Sequence, residues 1–199
     1  MGEQKEGSVM EIPENVGVKE YFDDYVPKVF AEQTGGGAVL GMEGTEIKVQ
    51  FDITDGSKPT YALIVKDAKE LEVKEGPIDA PTVKLGMSEE VFRRAVTGKL
   101  QGATDGFTDV SQITRNRYDQ LRNTKGTLVL DLSTSDGPNA EVRVTFNGVD
   151  SPATTFRCSA ENWVAMNKGE LAGPTAFMSG KLKIEGDMPF AMSLASLVS

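Results

Sequence analysis

The stretch Thr154-Thr155-Phe156-Arg157-Cys158-Ser159-Ala160-Glu161-Asn162-Trp163-Val164-Ala165-Met166-Asn167-Lys168-Gly169 reads as a strand delivered straight into a short helix. Threonine, phenylalanine and a small apolar cysteine suit a half-buried strand. Ser159 is a helix N-cap residue, Glu161 places acid in the first turn where the helix dipole favours it, and Gly169 stops the helix. The chain has already done this once. Residues 82–87 read as a strand, Ser88-Glu89-Glu90-Val91-Phe92 opens a helix, and Gly98 ends it. At a constant offset of 71, the distance from Gly98 to Gly169, Pro81 meets Pro152, Ser88 meets Ser159, Glu90 meets Glu161 and Phe92 meets Trp163. Leu100 meets Leu171 and Gly102 meets Gly173 in the same ungapped register. We read this as a degenerate internal duplication, giving two related lobes or one continuous sheet with helices packed on it.

The flanking sequence has the same order in both halves, a helix and then strands. Val18, Phe22, Tyr25, Val26, Val29 and Phe30 share one helical face over residues 18–33, with Pro27 inside the pattern predicting a kink or a late start, and Gly35-Gly36-Gly37 ending it. Ile47, Val49, Phe51 and Ile53 then alternate with polar residues as a strand with one apolar face. Residues 60–66 and 71–74 follow as strands. In the second half, residues 101–109 form a Gly/Asp/Thr loop and residues 110–122 a helix bearing Ile113, Tyr118 and Leu121. Leu128, Leu130 and Leu132 alternate next, as do Val142, Val144 and Phe146, with Asp136-Gly137-Pro138-Asn139 and Asn147-Gly148 as turns. The predicted class is α+β, a mostly antiparallel sheet covered by helices. The predicted organisation is a polar tail over residues 1–16, an N-terminal lobe over 17–109 and a C-terminal lobe over 110–199.

Composition removes several classes of chemistry. The 199 residues include no histidine and one cysteine, so histidine-dependent triads, proton shuttles and histidine-ligated metals are excluded, and no intramolecular disulfide can form. No metal site and no cofactor is expected. A net charge of −9 makes nucleic acid a poor partner and disfavours strong attachment to an anionic membrane. No apolar run reaches the ~18 residues of a membrane span, so stable insertion is not expected. The lone Cys158 and the polar N-terminus lead us to expect a cytoplasmic protein. Gly35-Gly36-Gly37 lacks the Gly-Lys-Ser/Thr of a phosphate loop, and the Asp-Gly pairs lack the carboxylates of a calcium loop.

The last forty residues are the most specific. Pro174-Thr175-Ala176-Phe177-Met178-Ser179-Gly180-Lys181-Leu182-Lys183-Ile184-Glu185-Gly186-Asp187-Met188, followed by Ala191-Met192-Ser193-Leu194 and Leu197, resembles the sterol carrier protein type two family, most clearly over residues 159–197. Leu182 and Ile184 alternate with Lys181, Lys183 and Glu185 as a half-buried strand between two glycine breakers. Phe177, Met178, Met188, Phe190, Met192, Leu194 and Leu197 supply an adaptable apolar cluster that could equally be ordinary core. The resemblance implies that part of it, with Phe146, Trp163 and Met166, lines a hydrophobic tunnel between sheet and helices. It also implies carriage of a small hydrophobic ligand such as a fatty acyl chain or sterol, with no catalytic residue. The alternative is an enzyme or accessory subunit using the same pocket, with Glu161, Asp187 or Tyr118 moving protons. A third reading has the acidic surface docking a protein partner.

Overall fold

The structure is a computed structural model and describes residues 12–34, 41–100, 114–135 and 137–194. Its strands are β1 (Glu46–Ile53), β2 (Thr60–Lys66), β3 (Glu70–Glu75), β4 (Val83–Met87), β5 (Gly126–Ser133), β6 (Ala140–Phe146), β7 (Ala153–Ser159) and β8 (Leu182–Gly186). They form one eight-stranded sheet in the order β3-β2-β1-β4-β6-β5-β7-β8. Two neighbouring pairs are parallel, β1 with β4 and β5 with β7, and the rest are antiparallel. The predicted α+β class is therefore the observed one.

The first helix, α1, shows how the chain handles Pro27. Val18–Glu20 is α-helical, Tyr21–Tyr25 is π-helical, and Val26–Thr34 returns to α. Proline has no N–H to donate to the carbonyl four residues back. The wider π turn, in which the Val26 N–H reaches the Tyr21 carbonyl, carries the helix across that gap. It continues to Thr34, and the glycine run 35–37 lies outside the described residues. The further helices are α2 (Glu89–Val96), α3 (Arg115–Asn123), α4 (Ala160–Asn167), α5 (Gly173–Met178) and α6 (Met188–Leu194). Helix α3 overlaps the span expected over 110–122 and runs one residue past it; the first four residues of that span, like the loop expected over 101–109, lie outside the described set.

Period-two patterning puts one apolar face along the whole sheet. Ile47, Val49, Phe51 and Ile53 continue through Val83 and Leu85 to Phe146, Val144, Leu130 and Phe156, all buried in one core with side chains from each of the six helices among the described residues. The opposite face carries Lys48, Asp52, Lys84, Asp131, Arg157 and Lys183. Lys84 pairs with Asp52 at 2.8 Å, and Arg157 bridges Asp131 at 3.0 Å and Glu185 at 2.8 Å.

Candidate functional site

The C-terminal elements are assembled by local devices that the sequence motifs encode. Ser159 Oγ accepts a hydrogen bond from the Asn162 N–H at 3.2 Å and caps α4. That orients Trp163 and Met166 into the core, 2% and 6% exposed. Asp187 does the same for α6, its carboxylate accepting from the Phe190 N–H at 2.7 Å. The preceding Gly186 has φ +101°, and a Cβ there would sit 2.5 Å from the Ala153 carbonyl oxygen, so the Gly-Asp pair is a steric requirement of the turn into α6. Gly126, at the start of β5, has φ +131° and supports the same helix from below. A Cβ on Gly126 would strike the Pro152 carbonyl oxygen and come within 2.8 Å of the Phe190 ring.

Of the ten residues expected to bind ligand, the structure sorts nine into two sets. Phe146, Trp163, Met166, Phe190 and Leu194 are buried together in the core. Phe177, Met178, Met188 and Met192 stand at the surface, 46%, 79%, 40% and 61% exposed. Leu197 lies outside the described residues. Helix geometry explains the sorting. The one buried residue of α5 is the small Ala176, and the ~100° turn per residue then swings Phe177 and Met178 away from the sheet. In α6 the core takes Phe190, Ala191 and Leu194, which leaves Met188 and Met192 on the outer face. Helix α5 packs on β8 and α6 on β7 and β8, so both belong to that end of the sheet. Ala176, Leu182 and Ala191 complete the buried side, and sequence reading passed over them because they are small or strand-like.

Two open concavities bounded by described residues are lined mainly by polar residue types. One, about 590 Å³, lies between α3 and α6, with Asn116, Gln120, Asn123 and Lys125 around Phe190 and Ser193. The other, about 330 Å³, is lined by Asp131, Arg157, Lys181 and Lys183 beside the start of α4. The residues considered for proton transfer have structural roles or lie in the open. Glu161 is exposed in the first turn of α4. Asp187 caps α6, and the buried Tyr118 hydroxyl accepts from the Glu46 N–H at 3.4 Å. Cys158 is buried, and burial, then the nearby Asp131, pushes its thiol up to about 12, so it stays protonated at neutral pH.

No curated protein matches the chain. Part of the chain is similar to solved structures, among them apo sterol carrier protein 2 from Yarrowia lipolytica (18% identity, 50% of this chain and 86% of that one, TM-score 0.37). Two others are sterol carrier protein 2-like 2 from Aedes aegypti (22%, 54% and 93%, TM-score 0.32) and the sterol carrier protein domain 2 of Helicoverpa armigera (28%, 52% and 84%, TM-score 0.32). With the Gly-Asp turn, the capped α4 and the methionine-bearing α6 in place, residues 107–199 match the SCP-2 sterol transfer family, the resemblance their sequence carries.

Proposed function

We propose that this chain binds and carries an apolar ligand, a fatty acyl chain, a sterol or a lipid of similar bulk, against the helix-covered face of its C-terminal half. The observation that carries the reading is the coincidence of the family match with large apolar side chains left at the surface. Phe177, Met178, Met188 and Met192 all fall within residues 107–199. In this reading they border the entrance of a tunnel, and Phe146, Trp163, Met166, Phe190 and Leu194 form its floor. The N-terminal lobe, residues 17–109, braces that floor through the β4–β6 pairing. Binding needs no catalytic group and no cofactor. Each buried CH₂ contributes about 0.8 kcal/mol, so a sixteen-carbon chain gains on the order of 12 kcal/mol against an association cost of about 4–15 kcal/mol. Methionines adapt to irregular shapes, so this driving force admits several ligands. Among the described residues no helix is long and apolar enough to cross a membrane. The protonated, buried Cys158 suits the reducing cytoplasm, where we place the protein.

The test is native extraction of the purified full chain, lipid identification by mass spectrometry and titration with a fluorescent fatty acid. A co-purifying lipid near one per chain and saturable uptake of the probe are the expected results. An empty protein that takes up neither fatty acid nor sterol sinks the reading.

A further inference from the structure

The two end strands of the sheet differ in charge. β3, at one end, carries Glu70, Glu72 and Glu75 against the single Lys74, so two copies repel there. β8, at the other, lies in the run Lys181-Leu182-Lys183-Ile184-Glu185-Gly186-Asp187, two bases followed by two acids. Among the described residues no strand pairs with its outer edge. Lysines alone would blunt such an edge, but here each lysine has an acid at the mirrored position about Ile184. Lys183 also lies directly opposite Arg157 on β7, an unfavourable like-charge neighbour. Arg157 turns to Asp131 and Glu185, and among the described residues neither Lys181 nor Lys183 has an ion pair. The backbone sets the phase of this edge. The Asp187 N–H donates to the Ala153 carbonyl at 2.9 Å, and the register runs on through Thr155 with Glu185 and Arg157 with Lys183. Backbone groups alternate sides along an antiparallel strand. Lys183 and Glu185 therefore direct theirs to β7, and Leu182, Ile184 and Gly186 direct theirs outward.

We propose that two copies of this chain pair β8 to β8, antiparallel about a two-fold axis at Ile184, joining their sheets into one. The charge pattern selects both the partner and the register. Antiparallel addition of a second β8 must set Leu182, Ile184 and Gly186 against one another. A pairing centred on Lys183 opposes that residue to itself, and one centred on Glu185 opposes two carboxylates. Centred on Ile184, Lys183 faces Glu185 of the second copy and Lys181 faces Asp187, each twice by symmetry. The lysine left beside Arg157 thus gains its acid from the second copy. Leu182 then exchanges backbone hydrogen bonds with Gly186 of the second copy, and Ile184 with Ile184. Because α5 precedes β8 and α6 follows it, the antiparallel crossing brings the α5 end of one copy to the α6 end of the other. Those helices carry the exposed Phe177, Met178, Met188 and Met192, which add apolar area to the seam. Long-range charge agrees. Residues 1–109 hold 21 acidic and 12 basic residues and residues 110–199 hold nine of each, so the net −9 lies in the part that this pairing keeps farthest from the axis. A two-fold interface is closed, so association stops at two. The proposal is independent of the carrier reading.

The experiment is sedimentation velocity of the full chain from ~1 µM to ~1 mM, a span that covers weak and moderate affinities. Wild type is expected to pass reversibly from monomer to dimer and no further. Lys183→Glu places two acids against each other across the seam, and Glu185→Lys places two bases. Each variant alone should raise the dimer Kd at least ~tenfold, because two pairs turn from attraction to repulsion. An equimolar mixture of the two variants restores both attractions and should dimerise with a Kd close to that of wild type. The single chain carrying Lys183→Glu with Glu185→Lys should do so as well. Unchanged Trp163 fluorescence and urea midpoints within those of exposed-charge variants certify that each protein folds. The proposal is overturned if wild type stays monomeric throughout, or if it grows beyond a dimer. It is also overturned if either single variant dimerises like wild type, or if the mixture dimerises no better than its components.

Discussion

The two halves of the sheet share a plan and differ in what they do with it. In the first, β1 pairs antiparallel with β2 and parallel with β4, and β4 feeds α2; in the second, β5 pairs antiparallel with β6 and parallel with β7, and β7 feeds α4. The helix ends agree bond for bond at the offset of 71. Ser88 accepts from Val91 and Ser159 from Asn162, each at 3.2 Å. The Gly98 N–H reaches Ala95 and the Gly169 N–H reaches Met166; Leu100 reaches Arg94 and Leu171 reaches Ala165. Their contents diverge. The first half is packed with aromatics, Phe22 stacking on Tyr61 at 4.5 Å and meeting Phe51 and Phe92. The second is packed with leucines around Trp163 and pushes its remaining apolar side chains outward. Caps and strand order thus set a scaffold, and the side chains added to it separate a half with an aromatic core from one that leaves large apolar side chains exposed.

The sharpest way to break this comparison is Phe22→Ala. Emptying the aromatic cluster should cost about 3–5 kcal/mol. Because β4 and β6 join the halves into one sheet, the loss should appear equally in Trp163 fluorescence, which reports the second half, and in far-ultraviolet circular dichroism. Split transitions would make the halves independent folding units.

A smaller effect concerns two residues that follow the second strand of each half, Asp67 and Asn147, both at positive φ. Asp67 accepts from the Gly44 N–H at 2.7 Å, whereas Asn147 donates to the carbonyls of Leu121 at 2.9 Å and Thr124 at 2.7 Å. Asn147→Asp would turn a carboxylate on those carbonyls and should cost about 1–3 kcal/mol or more in urea unfolding. Asn147→Gly keeps the backbone geometry and should cost less. Equal losses would mean that the carboxylate adds no penalty beyond the lost side-chain bonds.

Alkaline unfolding sharpens the contrast further. The unfolded thiol of Cys158 ionises from pH 9.0 while the folded one holds its proton to about 12, so over that window the unfolded state binds fewer protons. Stability is full below pH 9 and falls as pH rises toward 12. Cys158→Ala should flatten this slope in urea midpoints measured across that range; an unaltered slope would assign it to other groups. The smallest effects belong to the open face. Lys84→Ala in the first half and Arg157→Ala in the second remove exposed pairs and should each shift stability by about 0–1 kcal/mol. A larger loss at Arg157 would show that its double bridge to Asp131 and Glu185 holds β8 in place.

The strands were legible because alternation survives at single-residue resolution; residues 60–66 are β2 as read. The π-helical stretch was not, since Pro27 signals a defect without saying how the preceding turn absorbs it. Helix α5 was also missed, because Gly173-Pro174 reads as a break when Pro174 is in fact a helix-starting residue. At the candidate site, residue type located the apolar cluster. It could not divide that cluster into a buried and an exposed set, because the division depends on which small residue, Ala176 or Ala191, meets the sheet.

The β4–β6 seam has a kinetic consequence. Each parallel pair closes within its own half, Val49 to Val83 and Thr127 to Ala153, but the seam joins Val83 to Phe146 across a much longer separation. Longer closures cost more entropy and come later. Before the seam closes, two formed half-sheets present facing free edges, and at high protein concentration the β4 edge of one chain can pair with the β6 edge of another. Refolding from concentrated solution should therefore leave exchanged dimers that dilute refolding does not, built from the same seam bonds made between chains instead of within one.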